Sequence, residues 1–299
     1  MNRLFSTIRK KIFSRAKSYA VAVGDLMPWA EKNFAWKTRW RMRKDRNPTF
    51  VIVQDKYKVK QYAQERGVKT AETYYVTNNP DDIPFDTLPD RYFLKVNHGC
   101  GWNILFKDGE FYLYKPTINV SQAEGFSERK ITRDEAKEYC RKWLKEKYSS
   151  KQWAYSQIEP LVLAEEVLMP FEDDELKDYK FYVFDGIAKA IIVLSASSRR
   201  RNENIILDID WKMFDLHEVE YNHPDTPPEQ PLNFAELMEV AERLGKGLDF
   251  ARVDLYNTTK GIVLGEMTMY PLGGRPGCPS YDKKFNKWIG DLWTLPQLK

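Results

Sequence analysis

The feature of this sequence that most constrains its fold is a repeated pairing of apolar runs across short turns. Such pairs occupy 92–114, 179–194 and 250–270, and each contains glycine where its two runs are joined. Asp185-Gly186, in the second pair, is a strong signal for a β-hairpin. Hairpins build antiparallel sheets, and helical patterns lie between them without a strict βαβ alternation, so the sequence predicts an α+β fold.

Helical and extended patterns account for much of the remaining chain. Thr132 and Glu135 have the spacing of a helix-capping box. The apolar positions that follow them recur at the helical period, as they also do after Asn233. We predict helices over 55–67, 132–148 and 233–248. We predict further strands over 49–54, 71–77 and 161–168.

The composition fits a folded chain whose positive charge is concentrated at one end. A hydrophobic content of 42% and an aromatic content of 14% can bury a substantial core. Residues 1–50 contain 13 Lys and Arg against 3 Asp and Glu, whereas the rest of the chain contains 34 against 40. Because the excess of positive charge is confined to the first residues, we expect no nucleic-acid partner.

The cysteines and histidines lack the spacing of a metal or disulfide site. Cys100, Cys140 and Cys278 lie far apart, and the chain has no CxxC pair. We therefore expect neither a zinc site nor a disulfide framework, and we expect a reducing, cytoplasmic setting. No secretory signal is visible, and the apolar segment 19–30 is too short for a membrane span and contains Asp25.

Two basic segments lie near the start of the chain. In 3–17, Leu4, Ile8 and Ile12 follow the helical period among Arg and Lys residues, which predicts a basic amphipathic helix. That helix could lie on an anionic membrane surface at the inner face of the membrane, or it could dock on the body of the protein. The segment 36–46 interleaves Trp and Arg and could hold an anionic acceptor. The four-residue spacing of its tryptophans favours a buried helix face.

The last predicted hairpin brings charged side chains to one face. Side chains two apart on a strand point the same way, so Arg252 lies beside Asp254, and Glu266 lies beside Thr268. Mg²⁺ is commonly held by one or two carboxylates together with substrate phosphates. A nearby arginine suits the charge that develops during phosphoryl transfer. The alternative is a solvated hairpin face with an ordinary salt bridge.

The first hairpin contains a lysine in an apolar run. Lys95 interrupts the run, and the following loop, 98–101, exposes backbone N–H groups that could bind phosphate oxygens. The loop lacks the GK[ST] and GxGxxG patterns of known phosphate loops. The alternative is a tight turn whose glycines serve geometry alone.

Taken together, several segments resemble the TupA-like ATP-grasp family. They are DKYKVKQY, LPDRYFLKVNHGCGWNI, AEEVL, LKDYKFYVFDG, RVDLYN and GEMTMYP. The resemblance runs from about Arg46 to Pro296. It implies an ATP-grasp fold, in which two α+β subdomains clasp ATP. The ranges we expect are a basic helical region at 1–45, a reduced N-terminal domain at 46–88, and ATP-grasp subdomains at 89–160 and 161–299.

The resemblance also implies which residues bind the nucleotide. Two lysines would contact the phosphates, and a mobile loop would cover the β- and γ-phosphates. The backbone of an interdomain segment would read adenine, and an acidic residue would bind the ribose. Lys56 and Lys95 match the two lysines, and Lys180 is a further phosphate ligand. Gly99, Cys100 and Gly101 match the loop. Glu165, Glu166 and Val167 match the interdomain segment, and Asp178 matches the acidic residue.

The same comparison implies the catalytic and metal-binding residues. Arg252 matches the arginine near the transferred phosphoryl group, and Lys95 shares the catalytic role. Asp254 and Glu266 match the magnesium ligands. Thr268 stands where the family usually has Asn, so it is the expected third ligand through a hydroxyl, and this departure leaves the coordination of a second metal open.

The activity implied is that of a carboxylate–amine ligase that uses ATP and Mg²⁺. The family is linked to the synthesis of surface polysaccharide such as capsule, O-antigen or teichuronopeptide, so a uronic acid or related sugar acid is the expected carboxylate. One alternative is a kinase that leaves phosphate on a sugar or polysaccharide acceptor. Another is a non-catalytic, membrane-associated module of polysaccharide assembly that acts through residues 1–20.

Deletion of residues 1–20 tests the membrane role of the basic helix. We expect the deletion to weaken binding to anionic lipid vesicles, because the Lys and Arg side chains that attract the surface are removed. It should leave the release of phosphate from ATP in solution unchanged. Sedimentation with vesicles measures the binding, and neutral vesicles are the control. Equal binding of the full-length and shortened chains to anionic vesicles would contradict the membrane role.

Overall fold

The structure, a computed structural model, describes residues 32–116, 126–171, 175–195, 205–214, 224–275 and 282–296. The described part contains two mixed layers of strands and helices, which confirms the α+β prediction. Its helices are α1 (Phe34–Lys44), α2 (Thr49–Gln54), α3 (Lys58–Gln64), α4 (Arg133–Lys145), α5 (Phe234–Gly245) and α6 (Lys283–Asp291). The predicted helix at 3–17 lies outside the described residues.

The first sheet, which we call sheet 1, is antiparallel throughout and has the strand order β2-β7-β3-β4-β5-β6. Its strands are β2 (Thr73–Thr77), β3 (Tyr92–Val96), β4 (Asn103–Lys107), β5 (Glu110–Pro116), β6 (Phe126–Ile131) and β7 (Val162–Glu166). Helix α4 packs on this sheet through Ala136, Cys140 and Trp143. The capping box of Thr132 and Glu135 forms at its start, as predicted.

The second sheet, sheet 2, has the order β1-β12-β11-β8-β9-β10, and only β1 runs parallel to its neighbour. Its strands are β1 (Lys69–Thr70), β8 (Asp178–Phe184), β9 (Ile187–Leu194), β10 (Ile205–Asp208), β11 (Phe250–Thr258) and β12 (Gly261–Thr268). Helix α5 covers one face of the sheet through the predicted positions Leu237, Val240, Ala241 and Leu244, all of which are buried. The hairpin predicted at Asp185-Gly186 joins β8 to β9.

The prediction of a strand over 49–54 is wrong, because this segment forms helix α2. A short apolar run cannot be assigned to strand or helix by periodicity alone, and the β-branched residues Val51, Ile52 and Val53 favoured strand. Phe50 and Val53 are buried three residues apart, as they are on one helix face. Tertiary packing against the core of sheet 2 therefore overrides the local preference.

The basic segment 36–46 lies mostly in helix α1, which packs against Tyr182 and Phe250 on the face of sheet 2 opposite to α5. The tryptophans Trp36 and Trp40 are partly buried against that core, as the spacing predicted, while Phe34 is fully buried. Lys37 donates hydrogen bonds to the carbonyls of Gly290 (2.7 Å) and Trp293 (2.5 Å). This basic side chain therefore docks the helix on the C-terminal segment.

The expected subdomain ranges stay a prediction. Strands β1 and β2 are close in sequence but belong to different sheets, and β7 is hydrogen-bonded within sheet 1 although it follows residue 160. The chain therefore crosses between the sheets at 70–73 and again after β7. Within the described ranges, no helix has the length and hydropathy needed to cross a bilayer.

Candidate functional site

A cavity of about 480 Å³ opens between the two sheets. Strands β3 and β7 of sheet 1 supply one wall, and β8, β11 and β12 of sheet 2 supply another. Most of the residues singled out from the sequence line this cavity. They are Lys56, Lys95, Cys100, Gly101, Glu165, Glu166, Val167, Asp178, Lys180, Asp254 and Glu266.

Strand register determines which charges meet on the sheet 2 wall. Asp254 of β11 is directly opposite Lys180 of β8 on one side and opposite Glu266 of β12 on the other. Arg252, two residues before Asp254, is opposite Thr268. Directly opposed side chains on neighbouring strands share one face, so Arg252, Asp254, Glu266 and Thr268 converge as the sequence predicted, and β8 adds Lys180 to them.

Asp254 is the centre of this wall and is 1% exposed. It accepts two hydrogen bonds from Arg252, from Nε to Oδ1 and from Nη2 to Oδ2, each 2.7 Å long. The Nζ of Lys180 lies 2.5 Å from Oδ2 of Asp254 and 2.5 Å from Oδ2 of Asp178. The buried carboxylate is thus neutralised by a bidentate arginine and a lysine, the arrangement that a buried charge requires.

Arg252 also reaches the neighbouring strand. Its Nη2 donates to Oε1 of Glu266 at 2.9 Å and to the hydroxyl of Thr268 at 3.1 Å. Thr268 in turn donates to Glu266 at 3.3 Å. The guanidinium of Arg252 is therefore hydrogen-bonded to all three expected metal ligands, Asp254, Glu266 and Thr268.

Burial and ion pairing act in opposite directions on these groups. Burial would raise the pKa of Asp254, but the charges of Arg252 and Lys180 outweigh it and hold the pKa below its usual value. Burial would lower the pKa of Arg252, which the Asp254 and Glu266 carboxylates instead raise well above its usual value. Asp178 and Asp254 likewise raise the pKa of Lys180 against the effect of burial. All three groups are therefore charged at neutral pH.

A second charged cluster lies on the sheet 1 wall. The buried carboxylate of Glu165, on β7, is paired with Lys95 of β3 through Oε1 and with Lys60 of α3 through Oε2 at 2.6 Å. Burial would raise the pKa of Glu165, but Lys95 and Lys60 outweigh it and lower that pKa. Lys95 therefore lines the cavity, and its ion pair with Glu165 holds its ammonium group in place.

Lys60 is a site residue that the sequence reasoning missed. Its Nζ donates to the carbonyl of Ala71 at 2.6 Å as well as to Glu165. Burial lowers its pKa, an effect that Glu165 opposes. The available signal was its spacing, since Lys60 follows Lys56 by four residues and lies beside the buried Val59.

Lys56 connects the glycine loop to sheet 2. Its Nζ donates to the carbonyl of Gly99 at 2.5 Å and lies 3.8 Å from Oε2 of Glu266. A Cβ at Gly99 would come within 2.4 Å of the Trp102 ring, and Gly101 has φ of +74°. Both glycines are therefore required by the geometry of the loop, whatever else the loop does.

His98 and Trp102, to which the sequence assigned no role, anchor the base of this loop. His98 is 3% exposed, and its Nε2 lies 3.1 Å from the carbonyl oxygen of Glu146. Burial lowers its pKa. Trp102 stacks on Trp143 of α4 with an interplanar angle of 5°. The loop that carries Gly99 and Gly101 is thus held at both of its ends against helix α4 of sheet 1.

The donor set of the cavity fits a magnesium nucleotide. Lys56, Lys95 and Lys180 line the cavity and suit the phosphates, and Arg252 lies directly beside the lining carboxylates of Asp254 and Glu266. The described residues contain no group of three or more His, Cys, Asp or Glu side chains that could hold a metal by themselves. Asp254 and Glu266 match the smaller set with which Mg²⁺ is held when phosphates complete its shell. Apolar side chains available to a base also line the cavity, namely Val59, Val167, Leu168, Leu176, Leu194 and Leu264.

The architecture and the site define a two-sheet protein with a charged cleft of the kind used for nucleotides. The model of the TupA-like ATPgrasp family matches residues 36–294. This chain therefore belongs to that family and has the ATP-grasp fold, as the sequence motifs indicated. No curated protein sequence matches the chain.

Solved structures with some likeness to the chain are ATP-grasp ligases and a synthetase. The D-alanine–D-alanine ligase from Bacillus anthracis complexed with ATP is 14% identical over 80% of this chain and 60% of that one, with a TM-score of 0.41. The Helicobacter pylori ligase is 15% identical over 81% and 62%, with a TM-score of 0.43. N5-carboxyaminoimidazole ribonucleotide synthetase from Thermotoga maritima is 11% identical over 73% and 42%, with a TM-score of 0.35. The chain thus spans less than two thirds of each, and the family assignment rests on the family model alone.

The ion pairs of Glu165 predict how acid affects stability. Because its pKa is lower in the folded state than in the unfolded chain, the carboxylate stabilises the fold above its unfolded pKa of about 4.3. That contribution is lost as the pH falls through the folded pKa. In Glu165→Gln, the free energy of unfolding should therefore be lower at neutral pH and should change less between about pH 3 and 6.

Urea unfolding across that pH range measures this effect. Glu236→Gln, at an exposed position of α5, is the matched control and should retain the pH dependence of the original chain. An equal pH dependence in Glu165→Gln and in the original chain would show that the two lysines do not hold the carboxylate ionised.

Proposed function

We propose that this protein is an ATP-dependent carboxylate–amine ligase that forms an amide through an acyl phosphate. The observation that carries the proposal is the set of opposed charges across one cavity. Arg252, Asp254 and Glu266 are fixed by strand register on one wall, and Lys95 faces the cavity from the other. Membership in the ATP-grasp family supports the same conclusion.

The proposal assigns each wall a part of MgATP. Lys56, Lys95 and Lys180 hold phosphates, and the backbone of 165–167 reads adenine, while Asp178 holds the ribose. Asp254 and Glu266, with Thr268, hold Mg²⁺, which when bound supplies neutralising charge on the phosphates. Arg252 stabilises the transferred phosphoryl group, and Lys95 assists it.

The chemistry follows from the weakness of a carboxylate as an electrophile. A carboxylate oxygen of the acid attacks the γ-phosphorus, and ADP leaves. An amine then attacks the acyl carbon of the acyl phosphate, and phosphate leaves as the nitrogen gives up a proton. The protein contributes positioning and charge neutralisation, and no side chain becomes covalently attached.

Protection of the acyl phosphate from water is the remaining requirement. The loop of Gly99, Cys100 and Gly101 is the segment we assign to this task. Cys100 and Gly101 line the cavity, and Lys56 connects Gly99 to the side of Glu266. A loop that lines the cavity and is connected through Lys56 to the opposite wall is well placed to cover a bound phosphate.

For the substrate, we propose a uronic acid or a related sugar acid in surface polysaccharide synthesis, joined to an amine. The support is the family's link to surface polysaccharide, which the sequence motifs indicated. The same link favours work at the cytoplasmic face of the membrane. There the basic residues within 1–20 would meet anionic lipid or a polysaccharide-synthesis partner.

Product analysis separates a ligase from a kinase. Purified protein is incubated with MgATP and a panel of uronic acids, each with and without amino acids and simple amines. We expect phosphate release that depends on both the acid and the amine, with an amide detected by mass spectrometry. A stable phosphorylated acceptor that forms without any amine would establish the kinase instead.

The variants Asp254→Asn and Glu266→Gln test whether this cavity performs the reaction. Each removes a proposed metal ligand, and we expect a loss of product formation on the order of 10²-fold or more. Glu239→Gln, at an exposed position of α5, is the control. Full product formation by both site variants would contradict catalysis by this cavity and would favour the non-catalytic module.

A further inference from the structure

Helix α1 contains a fully buried arginine that the proposed chemistry does not use. Arg41 is 0% exposed, and its guanidinium lies under three aromatic rings, 4.3 Å from the centre of Trp293, 4.8 Å from Phe50 and 5.5 Å from Phe250. Burial of a charge is costly unless it is paired and hydrogen-bonded. Its contacts therefore indicate what the charge is there to hold.

The hydrogen-bond partners of Arg41 lie at one end of the β11–β12 hairpin, whereas Asp45, one turn along, is a more distant ion-pair partner at 4.0 Å. Nη2 donates to Oδ1 of Asp249 at 2.6 Å, and Asp249 also accepts a hydrogen bond from the Trp293 indole at 2.7 Å. Nη1 donates to the carbonyl of Phe250 at 3.0 Å and to that of Met269 at 3.3 Å. One guanidinium thus connects the first residue of β11 to the residue after β12.

These two carbonyls lie where the hairpin has no further backbone pairing. The β11–β12 register ends with Arg252 opposite Thr268, so Phe250 and Met269 are beyond the last pair. The carbonyl of Asp249 faces β8, where it accepts from the amide of Asp185 at 3.1 Å. Successive carbonyls of a strand point to opposite edges, so that of Phe250 points towards β12.

We propose that Arg41 is a positioning residue that closes this end of the hairpin and so sets the geometry of Arg252 and Thr268. Phe250 is two residues before Arg252, and Met269 directly follows Thr268. The contacts of Arg252 with Glu266 and Thr268, at 2.9 and 3.1 Å, depend on the separation of the two strands at that point. If this end of the hairpin opened, Arg252 would lose its contacts with Glu266 and Thr268 on β12.

The planar fork of arginine is required for this task. Two nitrogens of Arg41 reach three acceptors in different directions, two carbonyls and one carboxylate. A lysine has a single nitrogen on a flexible stem and cannot hold the same three acceptors with fixed geometry. Arg41→Lys should therefore retain the charge and lose part of the positioning.

Lys37 provides a matched control on the same helix, one turn earlier. It also donates to two backbone carbonyls, those of Gly290 and Trp293, and so docks α1 on the C-terminal segment without contacting the hairpin. If the two side chains act only by docking helix α1, amide exchange in the hairpin should change equally in Lys37→Met and Arg41→Met. If Arg41 closes the hairpin, amide exchange there should change only in Arg41→Met.

Amide hydrogen exchange reads the hairpin directly and needs no bound nucleotide. In Arg41→Met, exchange of the amides of Arg252 and Thr268, which point towards each other across the hairpin, should become about tenfold faster or more, because local opening becomes easier. In Arg41→Lys the increase should be smaller, and in Lys37→Met it should be less than about twofold. Equal exchange of these amides in Arg41→Met and Lys37→Met would overturn the proposal, as would exchange in Arg41→Lys equal to that of the original chain.

The kinetic part of the test rests on the proposed function. With MgATP-dependent phosphate release as the assay, Arg41→Met should lower kcat by about 10- to 100-fold and change the KM for ATP by less than about threefold. Lys37→Met should keep kcat. Faster exchange with an unchanged kcat would overturn the positioning role. If the original chain releases no phosphate from MgATP with any acid and amine pair, the proposed function fails, and exchange alone decides on Arg41.

Discussion

The arrangement of the site depends on the buried carboxylate of Asp254. It lies on the central strand of three, with Lys180 opposite it on one side and Glu266 opposite it on the other, and it binds Arg252 through both oxygens. Among the described residues, Asp254 is the one carboxylate that pairs with both buried cations, while Asp178 adds a second partner for Lys180 and Glu266 a second partner for Arg252, and an unpaired buried charge would cost several kcal/mol. The register of β8, β11 and β12 therefore determines which charges are paired in the site. A shift of one residue would turn every one of these side chains to the other face.

The two walls of the cavity solve the same problem in similar ways. Each keeps its cations in place with a buried carboxylate, Asp254 on sheet 2 and Glu165 on sheet 1. A polyphosphate entering the cavity would meet lysines that are already oriented and already charged, and it would share them with these carboxylates. Preorganised cations of this kind lose little conformational freedom on binding. Lys56 connects the walls through the carbonyl of Gly99 and the carboxylate of Glu266, so the loop is linked to one of the proposed metal ligands.

Much of this site could be predicted from the sequence because it follows from strand geometry. The two-residue period placed Arg252 beside Asp254, and Asp185-Gly186 marked a hairpin that the structure confirms. What could not be predicted depends on tertiary contacts. The β-branched run at 49–54 gave no local sign of a helix, and Lys60 became a site residue only because α3 packs beside β7. Arg41 lies more than 200 residues from its partners in the hairpin, so no local pattern could connect them.

The claim that the cavity between the two sheets is a MgATP site is tested most directly by isothermal titration calorimetry. We expect the original chain to bind one MgATP and to bind ATP more weakly when EDTA removes the metal. Lys95→Met should weaken MgATP binding by about tenfold or more, because it removes a charged contact from the phosphates. Lys142→Met, at an exposed position of α4, should leave binding unchanged. Absence of binding to the original chain, or equal affinity of Lys95→Met, would contradict the account.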